Sequence, residues 1–565
     1  MKNSTLKWLY EVTGKKKAGI MLLLLVQMVL GLMSVFYALF LRNIIDAAVE
    51  KDRLEFFTGM AMLVGLVVLQ IALRAVVRWL EELSRSSVEN ILKNRLFSTL
   101  LKKDYASVTA VHSGEWLNRL TSDTVVCAGG VTEILPGIAG MLVKMAGALV
   151  MILALEPGFA YVLIPGGAAL VLLTYAFRKV LKRLHKKIQE QDGKLRVFLQ
   201  EHLGSLLVVR SFTVEKQVEE EAEKKMEEHK NARMKKNRFS NLCNIGFSGA
   251  MNGMYLFGLG YCGYGILEGT VSYGTLTAIL RLVSQIQSPF ADITGYLPRF
   301  YAMTASAERL MEAELMKDDC PDGVIEASEI HRFYRDEFAA IGFKNADFTY
   351  LRSVDGKEIP LVLQDINLQI RRGEYIAFTG QSGCGKSTLL KLLMCLYPLD
   401  GGKRYLLKKD NEMQELTSAW HRLFAYVPQG NQLMSGTVRE IVAFSDKGKM
   451  QQEDKIRRSL EIACADEFVK NLENDMDTLL GERGSGLSEG QMQRIAIARA
   501  IFSDNPVLLL DESTSALDEQ TEKKLLENLR SMTNKTVLIV THRPAVLDIC
   551  DRVVVMNETG IEVRG

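Results

Sequence analysis

Ala18 to Leu41 is a run of 24 residues without a single charge, and it restricts what this chain can fold into more than any other feature. At about 1.5 Å of rise per helical residue it can cross a hydrocarbon layer about 30 Å thick. Lys15–Lys17 precede it, as in a secretion signal, but a signal has a shorter apolar centre that ends at a small-residue cleavage site. The run reads as a first membrane helix that is retained. Five further stretches have spanning length, giving expected crossings near 18–41, 56–80, 131–155, 157–178, 239–267 and 270–300. Only Lys144 charges the core of the third, and Arg281 interrupts the sixth.

Orientation follows the basic residues, which collect on the cytoplasmic side. The turns after the first, third and fifth spans (Asp46–Glu55, Glu156–Pro157 and Glu268) are short and hold few of them. The segments after the second and fourth spans are long and basic, with Arg78, Arg85, Lys93, Lys102 and Lys103 in one and Arg178, Lys182, Arg183 and Lys186 in the other. Both termini and both long loops are therefore expected in the cytoplasm. Helical composition in these loops implies out-and-back pairs that reach roughly 40 Å from the bilayer, with polar turns near 104–114 and 207–215.

Composition supports a chain of mixed character. A net charge of +2 over 565 residues gives no basic footprint for nucleic acid. The eight cysteines are scattered and offer neither a disulfide framework nor a zinc-motif spacing. The fifth span is rich in glycine (Gly246, Gly249, Gly253, Gly258, Gly260, Gly263, Gly265), and Gly249 and Gly253 form a G-x-x-x-G. Close helix packing in lipid is the expected reason. A charge inside a span is costly, so Lys144 and Arg281 are read either as paired groups or as lining for a cavity.

After a linker, 316–338, the character changes to a soluble α/β domain over 339–565. The apolar run Tyr375–Phe378 reads as a strand and leads into Gly380-Gln381-Ser382-Gly383-Cys384-Gly385-Lys386-Ser387-Thr388. This is a phosphate loop in its required strand–loop–helix setting. Its glycines let backbone N–H groups turn toward phosphate oxygens, Lys386 supplies a cation to the β and γ phosphates, and Ser387 offers a hydroxyl to Mg²⁺. Downstream, Val507–Leu510 is a strand buried on both faces that ends in Asp511 and Glu512. Asp511 suits the Mg²⁺ side of the site, and Glu512 suits polarisation of the attacking water. A second apolar strand, Thr536–Val540, ends at Thr541-His542, which places a histidine near the γ-phosphate.

Leu487-Ser488-Glu489-Gly490-Gln491-Met-Gln-Arg494 resembles the signature motif of ABC transporters, whose usual form is Leu-Ser-Gly-Gly-Gln. Phosphate loop, glutamine loop (Tyr426-Val-Pro-Gln429), signature, acidic strand, Ser515-Ala-Leu-Asp518 and His542 also follow that family's order. Ser113–Asp123, Glu201–Glu215 and Ala305–Leu310 are similar to its two intracellular loops and to the end of its sixth helix. The whole chain thus resembles the exporter type. By that resemblance Tyr350 stacks on adenine and Gln429 reaches Mg²⁺. Ser488, Gly490 and Gln491 close on ATP held by a second subunit, and Asp518 links the two sites. The stretch around Gly481 and Glu482 meets the partner's intracellular loops, and the turns near 104–114 and 207–215 are coupling helices. Glu489 departs from the usual glycine. The chain also stops at Gly565 without the terminal helix usual in the family.

The expected fold is thus a six-helix α-helical transmembrane bundle followed by an α/β P-loop ATPase with a helical subdomain. The expected function is an ATP-driven exporter moving a small molecule, lipid or peptide by alternating access. It uses ATP and Mg²⁺ and pairs with a second copy of itself in a bacterial inner or cytoplasmic membrane, surrounded by lipid. An ATP-gated channel or regulator that binds nucleotide without pumping is the alternative; it has no need of the catalytic Glu512 or His542. A soluble nucleic-acid enzyme conflicts with six spans.

Overall fold

The computed structural model describes residues 2–564 except 321–322, 351–352, 355–356, 359–360, 431–432, 482–485, 533 and 558–559, and gives backbone alone at some further positions, chiefly within 160–182 and 287–297. Glu482 lies outside the described residues. The chain divides into two compact units, residues 1–97 with 117–312, and residues 98–116 with 313–565. The first expected coupling turn, 104–114, is thus part of the second unit.

Six long helices carry the first half of the chain: α1 (Lys17–Glu50), α2 (Arg53–Leu100), α3 (Ser113–Leu155), α4 (Ala160–Gly204), α5 (Glu215–Leu267) and α6 (Tyr273–Leu315). Among the described residues α1, α2 and α3 are long and apolar enough to cross a membrane. With 53 residues, α5 is about 80 Å long, far more than a bilayer needs. Its N-terminal half is charged, which suits a segment that runs beyond the lipid.

Among the described residues, close helix approaches lie outside the glycine-rich stretch of α5. A Cβ added at Gly246, Gly249, Gly253, Gly260 or Gly263 would meet nothing within 4 Å in this chain. One added at Gly31 of α1 would lie 2.6 Å from the Gly140 carbonyl of α3, and one at Gly140 would lie 2.8 Å from the Gln27 carbonyl. Two backbones in contact leave no room for a side chain, so these isolated glycines set the α1–α3 crossing. The α1–α6 contact adds polar bonds to an apolar cluster of Val35 and Ala38 with Ile279, Leu282 and Val283. Asp46 accepts from Gly274 N–H at 2.8 Å and Ser272 Oγ at 2.9 Å, and Gln285 Nε2 donates to the Ser34 carbonyl at 2.6 Å. Arg281 places its guanidinium 5.4 Å from the centre of the Tyr37 ring. Its charge therefore has an aromatic partner on α1.

Two sequence segments that resemble family motifs meet in this unit. Within α3, Arg119–Asp123 forms a π-turn, a widening of the helix that often marks a functional position. Asp123, 3% exposed in its side chain, accepts from Arg309 Nε at 2.7 Å, from Arg309 Nη2, and from Ser306 Oγ at 2.8 Å. Buried Arg119 donates to the Arg309 carbonyl at 2.7 Å and pairs with Glu312 at 3.1 Å. Ser113–Asp123 and Ala305–Leu310 are thus two halves of one buried ionic latch between α3 and α6.

In the second unit, segment 98–116 is fastened by main-chain and charged contacts. Lys103 Nζ reaches Asp318 Oδ1 at 2.9 Å and the carbonyls of Glu314 and Met316 at 2.9 and 2.7 Å. Asp104 N–H donates to the Lys317 carbonyl, and its carboxylate caps the helix Tyr105–Thr109 through Ser107 N–H. The stretch expected as linker is partly folded. Helix α7 (Ala327–Asp336) buries Ile330, Phe333 and Tyr334 in the ATPase core, because its apolar residues recur at helical spacing.

The ATPase core comprises two sheets. Strands β1 (Phe338–Phe348), β2 (Leu363–Arg371), β4 (Gly401–Lys408) and β5 (Met413–Glu415) form an antiparallel sheet in the order β2-β1-β4-β5. Strands β3 (Tyr375–Gly380), β6 (Phe424–Val427), β7 (Val507–Asp511), β8 (Thr536–Val540), β9 (Arg552–Asn557) and β10 (Gly560–Arg564) form the second, in the order β10-β9-β3-β8-β7-β6. All its pairs are parallel except β9 with β10. Every residue of β7 and β8 is buried, as expected of a parallel sheet covered on both faces. Helix α8 (Lys386–Leu393) follows β3, and α9 (Glu489–Phe502) packs with Glu453–Ile462 in a helical part of the unit.

Candidate nucleotide-hydrolysis site

Strand register decides which residues meet. Phe378 of β3 pairs with Val540 of β8, Val540 with Asp511 of β7, and Leu510 with Val427 of β6. The phosphate loop, His542, Asp511, Glu512 and Gln429 therefore leave the sheet together at the carboxyl ends of adjacent parallel strands, where open α/β sheets bind ligands.

The loop from Gly380 to Lys386 turns by left-handed backbone at Gly380, Gly383 and Gly385. Gly385 has φ +98°, and a Cβ there would come within 2.7 Å of Leu363, so both conformation and space require glycine. Gln381, Ser382 and Gly383 are exposed at the tip, whereas Cys384 is buried in the core beneath. Lys386 is 6% exposed and donates to the Gly380 and Gln381 carbonyls, both at 2.8 Å. Its described partners are neutral. A buried ammonium held by two carbonyls and the Cys384 sulfur, at 3.9 Å, suits a site built to take an anion.

Next to it, Ser387 Oγ donates to Asp511 Oδ1 at 2.8 Å and Tyr426 OH donates to Asp511 Oδ2 at 3.0 Å. Asp511 is 1% exposed, and burial pushes its carboxyl above the usual carboxylate range against both donors. Burial and the adjacent Asp511 likewise push the Tyr426 phenol up, so its proton stays in place to be donated. The sequence places Tyr426 in the glutamine loop but gives its hydroxyl no role. The available signal was a tyrosine in a buried strand, whose hydroxyl needs a partner.

Glu512 stands at the edge of this cluster with φ +50°, an uncommon conformation for a residue with a side chain and one that concentrates at functional sites. Its N–H bonds the Val540 carbonyl, and Gln429 Nε2 donates to its Oε2 at 2.8 Å. His542 Nε2 lies 3.9 Å from Oε1, beyond hydrogen-bond range but close enough for a bridging water. Tyr350 is half exposed and shares a hydrogen bond of 2.9 Å with Thr388, the last residue of the loop motif. Its ring lies edge-on to Tyr397, 5.2 Å between centroids, and Tyr397 in turn to Tyr105 at 5.7 Å.

The signature residues lie apart from this cluster. Ser488 is the N-cap of α9, and with Gln491 it closes a reciprocal capping box. Glu489, the departure from the family pattern, is exposed in the first turn of α9, where an acid is favourable. Gly490 is the position that must stay small, since a Cβ there would lie 2.7 Å from the Ala516 carbonyl. Asp518 caps α10 (Glu519–Arg530) through Thr521 N–H, and that bond holds its carboxyl below the usual range. Among the described residues Ser488, Gly490, Gln491 and Asp518 make no hydrogen bond to the phosphate loop. Arg543, also unremarked in the sequence, holds the connecting loop through the carbonyls of Ser515 and Leu517 and an ion pair with buried Glu522.

Two family models match: residues 20–290 as an ABC transporter transmembrane region and residues 363–515 as an ABC transporter. The chain belongs to the ABC transporters. It is of the exporter type, with the membrane region and the ATPase fused in one chain, and its ATPase couples hydrolysis to transport. An ATP-dependent lipid A-core flippase of Photorhabdus laumondii is 27% identical over 84% of this chain and 79% of its own length. An ABC transporter B family member 1 of Dictyostelium discoideum is 26% identical over 86% of this chain. This chain spans about half of that relative's length, 52%. In structure, a bacterial Atm1-family ABC exporter with ATP bound superposes with a TM-score of 0.80 at 22% identity, over 97% of this chain and 94% of its own. That likeness carries the fold.

Proposed function

We propose that this ABC transporter works as a homodimer that exports an amphipathic molecule, a lipid, peptide or small organic compound, by alternating access. The carrying observation is the division of the ATPase parts. Lys386, Ser387, Asp511, Glu512 and Gln429 converge, while Ser488 and Gln491 close on each other elsewhere on the same chain. In this reading each signature completes the phosphate loop of a second copy, giving two composite ATP sites. Similarity to lipid A-core flippases supports an amphipathic cargo. The basic loops support a cytoplasmic ATPase and cytoplasmic termini in a bacterial cell membrane.

Mg²⁺ fits the site on the chemistry of its donors: a hydroxyl and a carboxylate oxygen 2.8 Å apart, with the Gln429 amide in the turn that follows the neighbouring strand, form a hard oxygen set. When bound it would neutralise charge on the transferred phosphoryl group. The chain does the rest. Loop N–H groups and Lys386 hold the β and γ phosphates, with Tyr350 against adenine. Glu512 orients a water and accepts its proton as the water oxygen bonds to the γ phosphorus and the bond to the leaving ADP oxygen breaks. Gln429 holds the Glu512 carboxylate in place, and His542 faces the γ-phosphate. Asp518 ties the two sites together. ATP closure would be carried to the membrane helices through the coupling turns near 104–114 and 207–215.

The test is complementation. Lys386→Ala and Ser488→Ala chains, each inactive alone, are co-expressed with different tags and purified as mixed pairs. Such a pair holds one intact composite site, and partial ATP turnover is expected. No recovered turnover in verified mixed pairs would refute the composite-site reading.

A further inference from the structure

Away from the phosphate loop, three donor side chains of different chemistry converge within the second unit, where the segment after α6 meets the short turn Ser418–Leu423. Asp319 Oδ2 lies 3.6 Å from Cys320 Sγ and 3.6 Å from His421 Nδ1. One ligating atom from each of the three residues lies within 4.8 Å of the others. All three side chains are partly buried, with Asp319 at 25% and His421 at 29% exposure. His421 Nε2 is buried without a hydrogen-bond partner among the described residues. The backbone beneath is fixed from both sides: Asp319 N–H donates to the Lys102 carbonyl at 2.9 Å, and the Asp319 carbonyl accepts from Ser418 Oγ.

We propose that Asp319, Cys320 and His421 bind one Zn²⁺ per chain. In a tetrahedral zinc site, bonds of about 2.0–2.3 Å place neighbouring ligand atoms about 3.3–3.5 Å apart. The two 3.6 Å separations are already near that spacing, and the third pair needs only a side-chain adjustment. A thiolate, an imidazole and a carboxylate together select a borderline-soft cation over Mg²⁺ or Ca²⁺, which require oxygen. Three protein ligands leave the fourth position to water. The sequence hides the site because His421 is about a hundred residues from Cys320, outside any compact zinc-motif spacing. Its location gives it a purpose. Lys102–Asp104, Lys317–Asp319 and the 418–423 turn already share main-chain and side-chain bonds, and a metal would bind the last two together. Loading would stiffen the place where the first coupling segment joins the ATPase unit.

The full-length chain, tag-free and stripped by chelator in detergent, is titrated with Zn²⁺ against a chromogenic competitor. One equivalent is expected, with affinity at least about tenfold lower in Cys320→Ser and in His421→Gln. Both variants should bind ATP as the parent does, since neither residue lies in the nucleotide site. With Co²⁺ as probe, a near-ultraviolet thiolate-to-metal charge-transfer band is expected in the parent and not in Cys320→Ser. A third readout needs no substitution: Zn²⁺ should slow alkylation of Cys320, followed by peptide mass spectrometry, at least about tenfold. No bound equivalent, equal binding by parent and both variants, or Cys320 alkylation indifferent to Zn²⁺ would overturn the proposal.

Discussion

Tyr426→Phe removes one oxygen atom and leaves the ring in its strand. That oxygen donates to Asp511 Oδ2 at 3.0 Å, and Ser387 supplies the other donor at 2.8 Å. Because Asp511 is 1% exposed, water does not readily replace the lost bond. A hydrogen bond to a charged group contributes about 1.5–3 kcal/mol, roughly a ten- to hundredfold factor in an equilibrium constant. The deficit falls on the ATPase unit, which spans most of 313–565. For a domain of that size it corresponds to about 3–12 °C in unfolding midpoint. It also frees the carboxylate to turn away from Ser387, so ATP turnover should require more Mg²⁺ and fall about tenfold or more at limiting Mg²⁺. Binding of a fluorescent ATP analogue in EDTA should stay close to the parent's, since Lys386 and the loop amides are untouched. The assays are differential scanning fluorimetry and a Mg²⁺ titration of steady-state turnover in detergent. An unchanged midpoint together with an unchanged Mg²⁺ dependence would refute the role given to this hydroxyl.

In the membrane unit, Asp123→Asn should cost about 3 kcal/mol, because it leaves Arg309 and Ser306 without their buried carboxylate. In a double-mutant cycle with Arg309→Gln the effects should sum to less than additive, and additive effects would show that the latch contributes nothing. Gly31→Ala should lower the unfolding midpoint by forcing a Cβ to 2.6 Å from the Gly140 carbonyl, a loss of about 1–3 kcal/mol. Gly249→Ala, with open space around it, should be near neutral in the isolated chain; equal losses at Gly31 and Gly249 would contradict the α1–α3 crossing.

The phosphate loop and the acidic strand were legible in sequence because their chemistry is local. A glycine-rich turn, a lysine and a buried strand ending in acids each occupy one contiguous stretch, and the parallel register then aligns them. The first three membrane runs were legible because a bilayer demands length and apolarity, both of which are linear properties. Long-range pairings were not. Asp123 and Arg309 are 186 positions apart, and Tyr426 reaches Asp511 across 85. Glycine density along one helix, as in α5, says nothing of which faces meet. Single glycines at 31 and 140 matter because two backbones come together there. Likewise the 316–338 stretch looked like linker because α7 is short and polar on one face, yet Ile330, Phe333 and Tyr334 bury its other face in the ATPase core.

In the proposed mechanism the chain hydrolyses ATP with Glu512 as base and uses the bound state to hold two copies together. The most direct measurement is steady-state turnover and nucleotide occupancy of purified Glu512→Gln beside the parent protein. The substitution keeps the shape of the group that bonds Gln429 and neighbours His542, and removes its ability to accept a proton. Turnover should fall by about a hundredfold or more, while ATP binding persists and Mg²⁺–ATP traps the ATPase units as a closed pair, seen by cross-linking or size. Turnover close to that of the parent, or loss of ATP binding in a folded protein, would contradict it.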